Sequence, residues 1–175
     1  TGAFGIAAAS QGARVVCVEQ QEPLLALIKE NAKLNHVESR IECVAGDAFY
    51  WLESTAKSGE RFDWVLLDPP SLAKSKAQAP KGRRALHHLV VNALGMLNPR
   101  GTLALSICTY HLLGRTEEII RIAAADCHLR LAVRGLSVQA ADHPWILQMP
   151  MTRYLTSWLV QRDGRLADGS TSTSR

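Results

Sequence analysis

Residues 62–71 read FDWVLLDPPS, and this stretch decides the fold. Phe62, Trp64, Val65, Leu66 and Leu67 form the most apolar run of the chain, of strand length, and such a run is expected of a parallel strand covered on both faces. Asp68 ends it, and Pro69-Pro70 then fix the backbone in a rigid turn. A carboxylate held by such a turn projects a polar group beyond the strand's carboxyl end. A purely structural turn would look the same, so the neighbouring segments have to decide.

On the amino-terminal side, AFGIAAASQGA reads as a helix ending at Gly12, RVVCVE as a short strand, and residues 23–34 as an amphipathic helix with apolar Leu24, Leu27, Ile28 and Leu34. RIECVAG is a second strand, and Asp47 starts a helix through AFYWLEST. On the carboxyl-terminal side a Pro/Lys/Ser-rich loop runs from Pro69 to about Gly82, ALHHLVVNALGML is helical, and Asn98-Pro99-Arg100-Gly101 turns into the strand TLALSI. A helix near residues 115–125, a strand LRLAVRGL, an irregular ADHPWILQMP and a strand RYLTSWLVQ follow. Residues 162–175 are polar and read as a flexible tail to a domain spanning 1–161. The alternation predicts an α/β protein with a mostly parallel, twisted sheet, helices on both faces and an antiparallel closing hairpin. Ligands of such sheets lie at the carboxyl ends of the strands.

The 175 residues, 47% hydrophobic and 21% charged, suit one globular domain, and no apolar run approaches the roughly 18 residues of a membrane span. The net charge is only +4, but no acidic residue lies between Asp68 and Glu117, while Lys74, Lys76, Lys81, Arg83, Arg84, Arg100 and Arg115 fall inside. Either a solvated face or a phosphate-facing surface produces such a stretch. Cys17, Cys43, Cys108 and Cys127 show neither CxxC pairing nor metal-ligand spacing, so neither a metal site nor a disulfide framework is expected. Cys17 and Cys43 lie in apolar strands and read as small hydrophobes; Cys108 ends a strand.

Gly2 and Gly5 stand where a strand would feed a helix, where glycine lets a ligand approach the backbone. Glu19 ends the next strand, placed to accept hydrogen bonds from ribose hydroxyls, and Asp47 follows the strand after it. Each has an ordinary structural reading; the series of glycine turn, acid and acid makes a cofactor site. With no basic anchor at the first turn, it suits an adenosyl group better than a phosphate.

LDPPSLAKSK then resembles the DPP-x-F-x-KSK motif of the RlmI-like ribosomal RNA cytosine-5 methyltransferases, class I enzymes dependent on S-adenosyl-L-methionine. In the same order, TGAFGIAAA resembles the second half of that family's cofactor loop, GTLALSICTYH its cysteine motif, and ADHP with RYLTSWLV its closing segments. The resemblance reaches to about Gln161. Leu72 replaces the family's usual aromatic, Ile107 and Thr109 replace serines flanking the cysteine, and His87-His88 stands at an aromatic or polar pair.

The resemblance implies a Rossmann-like methyltransferase fold, a cytoplasmic enzyme, S-adenosyl-L-methionine bound by Gly2, Gly5, Glu19, Asp47, Asp68 and Pro69, and large-subunit ribosomal RNA as partner, held by Lys74, Lys76, Arg83 and Arg84. It sets no oligomeric state, and a dimer is compatible with it. Cys108 would be the nucleophile that adds to carbon 6 of cytosine, with Asp68 hydrogen-bonding the base and helping proton transfer. The acid-free basic stretch would favour the Cys108 thiolate. Rival readings are methylation of a guanine nitrogen, which needs no cysteine, an RNA-binding domain without catalysis, and a nicotinamide dehydrogenase, for which the first turn lacks the three-glycine spacing. Because the family places a strand and an RNA-binding module before TGAFG, the chain reads as a catalytic-domain piece whose first strand is truncated, poorly stable and inactive alone.

Overall fold

A computed structural model describes residues 1–166. It divides into two compact units, Thr1–Thr55 and the chain from Ala56 onward.

The first unit opens with α1 (Ala3–Ser10), β1 (Val15–Glu19), α2 (Glu22–Leu34) and β2 (Ile41–Ala45). β1 and β2 pair in parallel, Val15 opposite Ile41 through Glu19 opposite Ala45. Ala9, Ala32 and Val37 form the buried centre, with Ile6, Val15 and Ile41 against it. The inward stripe of α2 is Leu25, Ile28 and Ala32; Leu34, expected to face inward, is 71% exposed. Leu34 is the last helical residue, and the core ends at Val37 beyond it. Gly2 has φ 75°, a left-handed conformation that glycine adopts without steric cost, and begins α1.

α3 (Ala48–Ser58) follows, and the second unit contains β3 (Phe62–Leu67), α4 (Ala79–Gly95), β4 (Leu97–Ile107), α5 (Thr116–Asp126), β5 (Leu129–Val138) and β6 (Thr156–Arg165). Its sheet has the order β3-β4-β6-β5, with β3 and β4 parallel and the other two pairs antiparallel. The expected closing hairpin is therefore present as β5 and β6. Leu103, Leu105 and Ile107 alternate onto one face of β4, and with Val65, Trp158 and Val160 they are buried against Leu86, Val90 and Leu94 of α4 and Ile119, Ile120 and Ala123 of α5. Each of the leucines contributes on the order of 1.5–3 kcal/mol by leaving water.

Several boundaries differ from the sequence reading. Instead of one sheet there are two, because among the described residues only β2 pairs with β1 and only β4 pairs with β3. Trp64 and Leu66 of β3, read as covered on both faces, are 56% and 47% exposed. α4 begins at Ala79 rather than near Ala85, with Pro80 in its first turn and Gly82 inside it. Leu97 already pairs with Phe62, so the Asn98-Pro99-Arg100-Gly101 segment lies within β4, with Arg100 at φ 67°. β6 does not stop at Gln161: Arg162, Gly164 and Arg165 pair with Leu131, Arg130 and Leu129, so the tail expected from Arg162 is strand to Arg165. Cross-strand pairing overrides a polar composition there. The remainder of that tail, 167–175, lies outside the described residues.

Candidate functional site

In the first unit the residues read as cofactor-binding fall at the carboxyl ends of β1 and β2. Glu19 is the last residue of β1, lies opposite Ala45, and its carbonyl accepts the Gly46 N–H at 3.1 Å. Its Oε1 accepts the Gln21 N–H at 2.9 Å, tying the carboxylate to the turn that follows and leaving Oε2 without a partner among the described residues. Asp47 accepts the Phe49 N–H on Oδ1 at 2.7 Å, so it is the amino-terminal cap of α3. One carboxylate thus both caps a helix and stands exposed one residue beyond the glycine after β2. Both glycines have packing reasons. A Cβ on Gly5 would lie 2.7 Å from Cys17 Sγ, and one on Gly2 3.0 Å from the Ile28 side chain. The absent side chains let α1 lie against β1 and α2.

In the second unit Asp68 and Cys108 follow adjacent parallel strands whose register sets Leu67 opposite Leu105. The Cys108 thiol donates to the Pro69 carbonyl, Sγ to O 3.6 Å. Leu72 N–H donates to Thr109 Oγ1 at 3.0 Å, and Thr109 is 1% exposed. The turn after Asp68 is thereby pinned to the end of β4 at two adjacent residues, the thiol and the hydroxyl. The loop also rests on α4: a Cβ on Gly82 would meet Leu72 O at 2.8 Å and Ala73 Cβ at 3.1 Å. A helix carrying any larger residue there would push the loop away. Sequence reading missed Thr109 and Gly82, taking the first for a departure from a motif and the second for the end of a loop.

The electrostatics correct one expectation. Burial, and then the negative charge of Asp68, push the Cys108 thiol above its ordinary value. A stretch that is basic in sequence need not be basic in space, and Lys74, Lys76, Arg83 and Arg84 do not offset those two effects. Burial also raises the Asp68 carboxyl. Lys74 and Lys76 are exposed on the loop, where Gln78 Oε1 accepts the Lys74 backbone N–H at 3.0 Å. Arg83 and Arg84 are exposed on the first turns of α4. Arg83 helps hold Glu118 of α5 below the usual carboxylate range, after the Arg115 hydrogen bond. So part of its charge serves an intramolecular contact.

Residues 1–102 match the family model described as Conserved hypothetical protein 95. The chain belongs to that family. Among curated relatives, this Conserved hypothetical protein 95 member is similar to the Ribosomal RNA large subunit methyltransferase I of Tolumonas auensis, 33% identical over 92% of this chain and 41% of the relative. The Salmonella arizonae protein of the same name is 32% identical over 89% of this chain and 39% of its own length. The resemblance read from LDPPSLAKSK and its companion motifs agrees with these relatives, of which the chain spans about two-fifths. Among solved structures, a methyltransferase complexed with SAH superposes with TM-score 0.79 at 21% identity, over 92% of this chain and 42% of that one. The SAM-dependent methyltransferase from Agrobacterium tumefaciens gives 0.66 at 20% identity, over 93% of this chain and 53% of that one. These likenesses show the Rossmann-like methyltransferase fold of the Conserved hypothetical protein 95 chain.

Proposed function

We propose that the protein is an S-adenosyl-L-methionine-dependent methyltransferase that forms 5-methylcytosine in large-subunit ribosomal RNA, with Cys108 as nucleophile. The observation that carries it is the pairing of Cys108 with the turn after Asp68: a strand-end thiol 3.6 Å from the Pro69 carbonyl, in a turn whose Leu72 N–H is held by Thr109. A guanine-nitrogen methyltransferase has no use for a thiol in this place, and a non-catalytic RNA-binding domain has no use for the paired acid.

The donor set of the first unit fits an adenosyl group. Glu19 keeps one carboxylate oxygen without a partner among the described residues, Asp47 is exposed, and hydroxyls and amines are what carboxylates accept from. Gly2, Gly5, Glu19 and Asp47, with Asp68 and Pro69, are the residues assigned to S-adenosyl-L-methionine, the cofactor of the enzymes this chain resembles. When bound, it supplies an electrophilic methyl group.

Cys108 then does the work that carbon 5 of cytosine needs. Its sulfur bonds to carbon 6, the carbon 5–carbon 6 double bond opens, and carbon 5 gains the electron density to take a methyl group. Loss of the carbon-5 proton and expulsion of the sulfur restore the double bond. The raised thiol makes Asp68 the control point. While Asp68 is charged, it opposes the thiolate; once it shares a proton with the ring nitrogen or exocyclic amine of cytosine, that opposition falls. Lys74, Lys76, Arg83 and Arg84 supply cations for the RNA backbone around a base that must leave its stack. Methyl transfer to ribosomal RNA by a Cys108→Ala variant tests the reading. Loss of transfer with cofactor binding kept is expected; wild-type rates would overturn the cytosine-5 mechanism, and failure of the wild-type protein to bind S-adenosyl-L-methionine would overturn the enzyme.

A further inference from the structure

The described residues carry a second basic centre at the opposite end of the four-stranded sheet from Cys108. A cavity of about 390 Å³ is lined by Pro99, Arg100, Arg134, Arg162, Asp163 and Arg165, with Gln161 and Gly164 between them. Four arginines and one carboxylate line it. That carboxylate is already engaged, because Asp163 Oδ2 pairs with Arg130 at 3.1 Å. Asp63, on the neighbouring strand, accepts from Asn98 Nδ2 at 2.8 Å and does not line the cavity.

The arginines divide by the work they do inside the protein. Arg162 donates to the Leu97 carbonyl at 2.7 Å, tying β6 to the start of β4. Arg134 Nε donates to Gln161 Oε1 at 2.9 Å, and Gln161 Nε2 passes the connection on to the Arg100 carbonyl at 2.9 Å. These bonds fix the backbone around the cavity and the direction of the Arg134 fork. The side chains of Arg100 and Arg165 make no hydrogen bond or ion pair among the described residues. Arg100, moreover, is held at φ 67°, a conformation a non-glycine residue takes only where surrounding structure enforces it. Guanidinium groups gathered without carboxylates of their own repel one another, and an anion with several acceptor oxygens relieves that repulsion through forked hydrogen bonds.

We infer that this cavity is a second phosphate-binding site, which takes the phosphodiester backbone of the RNA substrate away from the target base. The inference rests on the RNA reading above. From Thr102, where β4 resumes regular pairing with β3, to Cys108 is six residues, roughly 20 Å at about 3.3 Å per residue. The protein therefore grips the RNA backbone at one end of the sheet and modifies a base at the other. The basic residues of the loop after Asp68 and the arginines of this cavity serve different stretches of one RNA.

The test is RNA affinity against salt concentration, measured by anisotropy with labelled large-subunit ribosomal RNA fragments and the purified protein. Replacing Arg100 and Arg165 together by glutamine should lower the slope of log Kd against log salt by about 2, one for each lost phosphate contact. Affinity at 0.1 M salt should fall about tenfold for each contact. The double lysine variant should keep most of the slope, because charge survives in it. S-adenosyl-L-methionine affinity and melting temperature should not change in either variant. A glutamine pair that binds RNA with the wild-type slope overturns this site alone. A wild-type protein that binds no RNA overturns the RNA reading and this inference together.

Discussion

Thr109→Val removes one atom's worth of chemistry and keeps the shape. Thr109 is 1% exposed, its hydroxyl oxygen accepts the Leu72 N–H at 3.0 Å, and valine replaces that hydroxyl with a methyl group of nearly the same volume. The Leu72 N–H then loses its acceptor in a half-buried position. Leaving a buried donor unsatisfied costs about 1–3 kcal/mol. For a protein of this size, each kcal/mol lowers Tm by roughly 2–4 °C, so the midpoint should fall by about 2–12 °C. The larger consequence is for the reaction. Without Thr109 the turn after Asp68 keeps only the weak thiol contact to β4, and a displacement of about 1 Å at a reacting group can cost on the order of 100-fold in rate. Urea unfolding and single-turnover methyl transfer to ribosomal RNA read the two effects separately. Thr109→Ser, which retains the acceptor, should recover most of the rate while losing a methyl group's worth of packing. If Thr109→Val matches wild type in both stability and rate, the hydroxyl does not position the turn, and the reasoning fails.

Other expectations follow from the same contacts. Gly82→Ala forces a Cβ to within 2.8 Å of the Leu72 carbonyl, and overpacking against backbone should cost about 1–3 kcal/mol despite alanine's better helix propensity; chemical denaturation measures it. Because burial and Asp68 both raise the Cys108 thiol, its alkylation by iodoacetamide should rise with pH through a midpoint above the usual thiol range. Asp68→Asn removes the charge but not the burial, so the midpoint should drop yet stay above that range, and an unchanged midpoint would mean that Asp68 does not act on the thiol. The paired glutamine substitutions at Arg100 and Arg165 should weaken RNA binding and flatten its salt dependence, as the second phosphate site requires.

The elements that were legible from sequence are those where local and tertiary preferences agree. β1, β2, β3 and α5 fall within a residue or so of their expected places, because each is an apolar or amphipathic run closed by a recognisable signal, such as the Asp47 cap. α4 begins six residues before the start that its sequence suggests. Pro80 and Gly82 look like breakers in one dimension, whereas Pro80 sits in the first turn and Gly82 makes room for the Leu72 carbonyl. The last residues of β6 are polar and read as tail, yet their pairing with β5 through Arg165 holds them in the sheet. The site was half legible. Asp68 and Cys108 stand out as strand-end residues, but the state of the thiol depends on burial and on a neighbour 40 residues away, which no charge count along the chain can report. The four-arginine cavity is assembled from β4, β5 and β6, and only Arg162 and Arg165 are near one another in sequence, with Asp163 between them, so no basic run announces it.

The most direct test of the central claim is covalent trapping. Ribosomal RNA carrying 5-fluorocytidine cannot release its carbon-5 substituent as a proton, so a cysteine that has added to carbon 6 stays bound. The protein, mixed with that RNA and S-adenosyl-L-methionine, should give a denaturation-resistant adduct whose peptide map places the RNA on Cys108. An adduct on another residue, or full methyl transfer to cytosine-bearing RNA with no adduct at all, would contradict the account.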